Sequence, residues 1–202
     1  MTSVSDVKCY PHDVGRWEPN ARGRLAEAAL DLFLEHGFDE TTVAEIAERS
    51  GLTERTFYRH FADKREVLFG GGGELSELIC GAIGGAPASA TPIEAVGAGL
   101  EATVTFFDED RRPFARRRHA VISASRELRE RELVKLASLA SDMTAALLRR
   151  GVKEPAATLA AEAGIAVFRI SFDRWVDESE PRDLRRLLRA SLKDLRAVLA
   201  TS

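Results

Sequence analysis

The chain has 202 residues, of which 45% are hydrophobic and 30% are charged, and its formal net charge is −3. These values predict one or two small globular domains, and they exclude a disordered chain and a basic protein that coats nucleic acid. No apolar run approaches the ~18 residues of a membrane span, and the N-terminus lacks the apolar core of a secretory signal, so we expect a cytoplasmic protein.

The N-terminal part predicts a tail followed by a helix. Residues 1–19 show no helical period and contain Pro11, Gly15 and Pro19, so we expect a flexible tail. A first helix follows, and Gly37 provides its C-terminal cap. Its apolar positions recur at spacings of three and four: Leu25, Ala28, Ala29, Leu32 and Phe33.

Residues 42–66 predict a helix-turn-helix. Thr42 and Glu45 have the spacing of a capping box, which starts a short helix. Gly51 is free to adopt positive φ in the turn, and Thr53 starts a second helix. Phe57 and Phe61 are four positions apart and share one face of that helix.

Positive charge is concentrated on this segment. Residues 1–66 contain 9 basic and 13 acidic residues, whereas residues 49–65 contain 5 basic and 2 acidic residues. The second helix has no acidic residue between Glu54 and Asp63. A helix pair alone does not fix function, but this one-sided charge favours DNA as the partner.

A resemblance to the TetR (tetracycline-repressor-like) family of bacterial transcription regulators rests on the run Leu52-Thr53, Thr56-Phe57-Tyr58-Arg59-His60-Phe61 and Asp63-Lys64-Arg65-Glu66. The likeness extends back through Arg24 to Gly37-Phe38 and covers about the first third of the chain. It implies an all-α fold of about nine helices, with a helix-turn-helix domain at 20–66 and a ligand-binding and dimerisation body at 67–202. Arginine outnumbers lysine 24 to 5, which indicates a high-GC bacterium.

The resemblance also implies DNA contacts by position in the motif. The residues expected at phosphates are Thr42, Tyr58, His60 and Lys64. The residues expected in the groove are Thr53, Arg55, Thr56 and Arg59, with base reading assigned to Arg55 and Thr56.

A fourth helix is predicted from the capping pair Asp63 and Glu66, with Lys64 in its first turn. The run Gly70-Gly71-Gly72-Gly73 would weaken that helix by ~3 to 4 kcal/mol. We interpret the run as a soft joint between the head and the rest, or as a tolerated weak helix. No Lys-Ser/Thr follows, which argues against a phosphate-binding loop.

The remaining sequence reads as helical, with no alternating strand. Residues 84–92 form a linker, and Thr91, Pro92 and Glu94 start the next helix. We place the body helices at about 92–108, 113–125, 127–150, 155–177 and 181–199.

Two apolar faces run along 155–177, and a leucine stripe runs along the last helix. One face carries Leu159, Ala163, Ala166 and Ile170, and the other carries Ala160, Gly164, Val167, Ser171 and Trp175. We predict that these two helices form a four-helix interface with a second copy, although packing within one chain would also explain the stripe.

The body also contains candidate ligand contacts. The resemblance implies a small-molecule pocket, in which aromatic walls would hold a largely apolar ligand and an arginine from 116–118 would meet an anionic group. The candidate residues are Phe106, Phe107, Arg117, His119, Phe168 and Phe172. The alternatives are an ordinary apolar core and a solvated arginine face.

The predicted function is a ligand-responsive repressor that binds a palindromic operator as a homodimer and is released by an unknown small molecule. The competing classes are an all-α enzyme built around His119 and a helical ligand-binding protein without DNA binding. No catalytic motif supports the enzyme. Cys9 and Cys80 lack metal-ligand spacing, so we expect reduced thiols, no metal and no cofactor.

Overall fold

A computed structural model describes residues 20–177, 179 and 181–200. The predicted tail at 1–19, and Cys9 within it, lie outside the described residues. Cys80 is a half-buried free thiol.

The described residues form nine α-helices and no strand, which confirms the predicted all-α fold. None of these helices combines the length and the hydropathy needed to cross a bilayer. The helices are α1 (Ala21–His36), α2 (Val43–Arg49), α3 (Glu54–His60), α4 (Gly72–Gly85), α5 (Pro92–Ala102), α6 (Arg112–Ala124), α7 (Arg126–Arg149), α8 (Ala156–Val176) and α9 (Leu184–Ala200).

Helices α1 to α3 form the part that we call the head. Leu25, Ile46 and Phe57, one from each helix, are fully buried and belong to one apolar cluster. Gly37 ends α1 with φ 86°, a conformation that favours glycine. The same cluster includes residues 67–69 and continues into α6 and α7, so the head is packed against the rest of the chain.

The fourth helix begins later than its capping pair predicted. Residues Arg65–Leu68 form only a 3₁₀ turn, and α4 begins at Gly72. Two arginine side chains donate hydrogen bonds to backbone carbonyls near this break. Arg118 donates to Leu68, the last residue of the turn, and Arg22 donates to Gly70. The glycine run therefore spans the break before α4 and the first turn of the helix, instead of lying inside a helix.

Helices α4 to α9 form the part that we call the body. Gly164 on α8 meets Val96 of α5 and Met143 of α7 so closely that a Cβ atom there would overlap Val96 and lie 2.9 Å from the Met143 Cε. Of the two apolar faces predicted on α8, the face that contains Gly164 is fully buried. The other face carries Leu159 and Ile170, which are 66% and 51% exposed.

Candidate nucleic-acid interface and aromatic cluster

Helix α3 begins with a side-chain cap and is held by one buried aromatic ring. The Thr53 hydroxyl accepts a hydrogen bond from the Thr56 amide at 3.2 Å, and the two hydroxyls lie 3.1 Å apart. Phe57 is fully buried. Because Phe57 faces the core, the opposite side of α3 faces solvent. The exposed residues on that side include Thr53, Arg55, Tyr58 and Arg59.

Two arginines on α3 keep their charge available to an external partner. Arg55 and Arg59 are exposed and make no hydrogen bond or ion pair with any described residue. Arg49, by contrast, holds Glu35 through two bonds of 2.9 and 3.1 Å. Tyr58 lies beside the two free arginines and is 56% exposed. This surface presents two guanidinium groups and a phenol, which suit phosphate oxygens and base edges.

Thr42 makes the predicted capping box. Its amide donates to the Glu45 carboxylate at 2.7 Å, its hydroxyl donates to the same oxygen at 2.8 Å, and the Glu45 amide donates back to the hydroxyl at 3.2 Å. The hydrogen bonds from the Thr42 backbone and side chain hold the pKa of Glu45 below its ordinary value. Both donors of Thr42 thus already have a partner inside the head.

Of the residues expected at phosphates, Lys64 has the surroundings that fit this role least. Its ammonium group donates to the carbonyls of Phe38, Asp39 and Thr41 at 2.6, 3.1 and 2.8 Å. The nitrogen also lies 4.4 Å from the centre of the Phe38 ring. An ammonium group has three hydrogens, so a phosphate would compete with three bonds already made. The geometry favours a role in holding the loop between α1 and α2.

His60 is half-buried at the end of α3. Its Nε2 atom is buried and has no hydrogen-bond partner among the described residues. Leaving such an atom unpaired costs about 1 to 3 kcal/mol. The ring would have to turn outward before a phosphate oxygen could meet this atom, and the contact of His60 with DNA stays a prediction.

The head is joined to the body by ion pairs that sequence reasoning missed. Glu66, before α4, binds Arg131 of α7 at 2.6 Å and Lys135 at 3.1 Å. Burial alone would raise the pKa of Glu66, but these two partners hold it below its ordinary value. Partial burial of Arg118 of α6, whose side chain is 20% exposed, lowers its pKa, and its guanidinium carbon lies 5.1 Å from the Phe69 ring centre.

Arg117, which was predicted to line a ligand pocket, forms ion pairs with the head at this junction. Its guanidinium pairs with Glu27 at 3.1 Å and with Asp31, and both partners lie on α1. Its neighbour Arg116 binds the carbonyl of Val176 at 2.8 Å. The arginines of residues 116–118 therefore each bind groups of the protein itself.

The other predicted ligand residues do come together, in a group that we call the aromatic cluster. It consists of Phe106, Phe107, Phe168, Phe172 and Trp175. The Phe107 ring centre lies 5.2 Å from that of Phe172 and 5.9 Å from that of Phe168, and the His119 ring lies 6.3 Å from that of Phe172. Trp175 is fully buried, and Phe168 and Phe172 are nearly so.

Two arginines of α6 tie that helix to the end of α8. Arg112 donates to the carbonyl of Trp175 at 2.7 Å, and Arg116 donates to that of Val176. The Trp175 indole donates to Glu109 at 3.0 Å. These bonds close the aromatic cluster on the side of α6, and a cleft of about 500 Å³ lies elsewhere, between α5 and α9.

The sequence comparisons agree with this architecture. Residues 25–69 match the family described as bacterial regulatory proteins, tetR family, and residues 90–200 match the MftR C-terminal domain. The chain belongs to the TetR family. The expectation drawn from the helix-turn-helix motif is thereby confirmed.

Two curated TetR-type relatives match over part of their length. TcmR of Streptomyces glaucescens is 37% identical over 83 residues, which cover 41% of this chain and 37% of TcmR. MftR of Mycobacterium tuberculosis is 34% identical over 62 residues, which cover 30% of this chain and 31% of MftR. The chain thus spans about a third of the length of these curated relatives.

A solved structure shares the fold of this TetR-family chain over most of its length. FadR of Bacillus subtilis, solved in complex with stearoyl-CoA, superposes with a TM-score of 0.58 at 19% identity. The match covers 86% of this chain and 96% of FadR.

One side-chain set in this TetR-family body resembles a catalytic triad. The His119 Nε2 lies 3.4 Å from the Ser123 hydroxyl, and its Nδ1 lies 4.0 Å from the Asp173 carboxylate. A separation of 4.0 Å is beyond hydrogen-bond reach, so Asp173 does not orient the ring. Ser123 and Asp173 are exposed, and this geometry does not support the enzyme alternative.

Proposed function

We propose that this TetR-family chain is a ligand-responsive transcriptional repressor that binds operator DNA as a homodimer in the cytoplasm. The observation that carries the proposal is the pair Arg55 and Arg59, which are exposed on α3 and have no hydrogen-bond or ion-pair partner among the described residues. Paired cations add little to DNA affinity because they must first release their carboxylates, whereas these two are free to neutralise phosphates or read bases. We retain Arg55 and Thr56 as the residues that read bases.

The division of labour along the chain follows the two apolar clusters. We retain 20–66 as the DNA-binding domain and 67–202 as the ligand-binding and dimerisation domain. Most buried residues of the cluster around α1 to α3 lie within 20–66, and the second cluster lies wholly within 67–202, which supports the division. The head cluster reaches α6 and α7, and this contact gives the body a physical route to the head.

The outer face of α8 and α9 supports a homodimer. Leu159 and Ile170 on α8 are 66% and 51% exposed, and Val198 on α9 is 74% exposed. Ala163 and Ala166 lie between the two exposed residues of α8 and would let a second helix approach closely. A dimer would place two α3 helices in successive major grooves, about 34 Å apart.

The aromatic cluster supports a largely apolar effector. Its rings are packed in one connected group, and its α6 side is closed by hydrogen bonds to α8. An apolar molecule that entered would replace ring contacts with contacts of the same kind. FadR, which shares the fold, was solved with stearoyl-CoA, so a long acyl chain is the first class to test.

The test combines footprinting and anisotropy. The chain should protect a palindromic site in the DNA upstream of its own gene, and a labelled duplex of that site should lose anisotropy when stearoyl-CoA or another apolar effector is added. Failure to bind any upstream duplex would refute the repressor. It would favour the helical ligand-binding protein without DNA binding.

A further inference from the structure

The four glycines before and within α4 are two different pairs. A Cβ atom on Gly71 would lie 2.7 Å from the Phe106 Cζ, and one on Gly70 would lie 2.6 Å from the Arg22 Nη2. A Cβ atom on Gly72 or Gly73 would meet nothing within 4 Å. Gly71 therefore meets a ring that a Cβ atom would have to displace, Gly70 meets mainly the movable end of the Arg22 side chain, and Gly72 and Gly73 have open space.

Gly70 is attached to the end of the recognition helix α3. Arg22 donates to its carbonyl, and the same guanidinium lies 5.8 Å from the Phe61 ring centre. Phe61 directly follows α3, is 4% exposed and donates its amide to the Phe57 carbonyl at 2.9 Å. A shift of the backbone at Gly70 would thus reach the C-terminal end of α3 through two contacts.

Gly71 is pressed against the aromatic cluster. The Phe106 ring that meets it lies 4.9 Å from the Phe107 ring and 5.5 Å from the Arg111 guanidinium. Arg111 also donates to the Phe106 carbonyl at 3.2 Å. Phe107 in turn contacts the Phe172 ring at 5.2 Å. Because Phe106 is held by these neighbours, a displacement of the cluster moves its ring relative to Gly71.

We propose that Phe106 is a positioning residue for DNA recognition. Its ring, packed on the bare backbone of Gly71, sets where α3 lies relative to the body. An occupant of the aromatic cluster displaces the ring and thereby weakens operator binding. The inference rests on the proposed function, and it names the contact through which the body acts on the head. Such an effect requires that the protein binds DNA with a different affinity in each of the two ring positions.

The decisive experiment compares alanine at two neighbouring glycines. Gly71→Ala should lower operator affinity about 5-fold or more, within the usual range of coupling between sites. Gly73→Ala adds the same methyl group to the same segment without a contact, and should leave affinity unchanged. Because Phe106→Ala removes the atom that the new methyl meets, the double variant should bind like Phe106→Ala alone. Equal affinities for the two glycine variants would overturn the proposal, as would additive effects.

A second measurement separates this contact from DNA binding itself. Hydrogen exchange of the amides of residues 57–61 should be faster in Gly71→Ala than in wild type, and unchanged in Gly73→Ala. Phe106→Leu, which weakens the contact without adding a clash, should give the same direction even if Gly71→Ala folds poorly. Unchanged exchange in both would refute the positioning contact alone. A wild-type chain that binds no duplex would instead refute the proposed function.

Discussion

Replacing Lys64 by methionine separates two roles that the same residue could have at a DNA surface. Methionine keeps the length and apolar stem of the side chain but removes the ammonium group. That group makes three hydrogen bonds to carbonyls of the loop between α1 and α2. If Lys64 holds this loop, the variant should lose stability. If it contacts a phosphate, the variant should lose charge-dependent affinity.

The magnitude follows from the three bonds and their exposure. A hydrogen bond from a charged group contributes about 1.5 to 3 kcal/mol, which would give a large sum if all three carbonyls were left dry. Lys64 borders an open cleft of about 370 Å³, so water can reach the carbonyls after the substitution. We therefore expect a loss of about 2 kcal/mol in the free energy of unfolding.

Urea denaturation followed by circular dichroism measures the stability, and affinity measured over a range of salt concentrations measures the phosphate contacts. Lys64→Met should leave the slope of log affinity against log salt unchanged. Arg59→Met should reduce that slope by about 0.9 for each phosphate that the Arg59 guanidinium neutralises. Lys193→Met is the stability control, because Lys193 is exposed and no described residue binds it. A reduced slope with unchanged stability for Lys64→Met would refute the reasoning.

Three further predictions concern the groove, the dimer and the junction. Arg55→Ala should cost about 1 to 3 kcal/mol in operator binding and relax preference at one base pair per half-site, and an even loss across single-base operator variants would contradict base reading. Ile170→Glu should yield monomers in analytical ultracentrifugation, whereas Leu133→Glu, at an equally exposed apolar position on α7, should not. Glu66→Gln should lower the free energy of unfolding at pH 7. Because the folded-state pKa of Glu66 is depressed, its contribution is complete above the ordinary glutamate range and is lost as pH falls through the folded-state value, so wild type and variant should converge in acid. A difference independent of pH would show that the ion pairs are not its source.

The helices were predictable because their signals are local. Thr42 with Glu45 and Thr91 with Glu94 form capping boxes in the structure, and both pairs stand three residues apart in the sequence. Gly37 and Gly151 follow helices with positive φ. Apolar spacing supplied the rest, because a buried face recurs at every turn.

The start of α4 could be predicted only in part from local signals, among which the glycine run indicated a weak point. The cap does form, since the Asp63 carboxylate accepts the amides of Arg65 and Glu66 at 2.8 and 3.1 Å. The turn does not continue into α4: Arg118 and Arg22 donate to the carbonyls of Leu68 and Gly70, and the glycines from Gly70 onward disfavour a helix. Both arginines lie about 50 residues away in the chain, so nothing near position 66 announces them.

The residues of the candidate sites were likewise predictable where the signal is local and unpredictable where the partner is distant in the sequence. Arg55, Tyr58 and Arg59 face solvent on α3, as the position of Phe57 in the motif predicts. Lys64 and Arg117 carry charge that a sequence shows but find partners that it does not show, at separations of 23 to 26 and 86 to 90 residues. Charge pattern predicts where a cation stands, and only tertiary structure decides whether that cation is free.

The bonds between α6 and α8 bear on how fast an effector could act. Arg112 and Arg116 hold the last carbonyls of α8, and the Trp175 indole holds Glu109. A molecule could enter the aromatic cluster from this side only after these hydrogen bonds had broken at the same time. The association rate would then level off at high effector concentration, because opening and not collision would set the pace. The same bonds would slow dissociation of the effector. The regulator would then stay in its effector-bound state for some time after the free effector had disappeared.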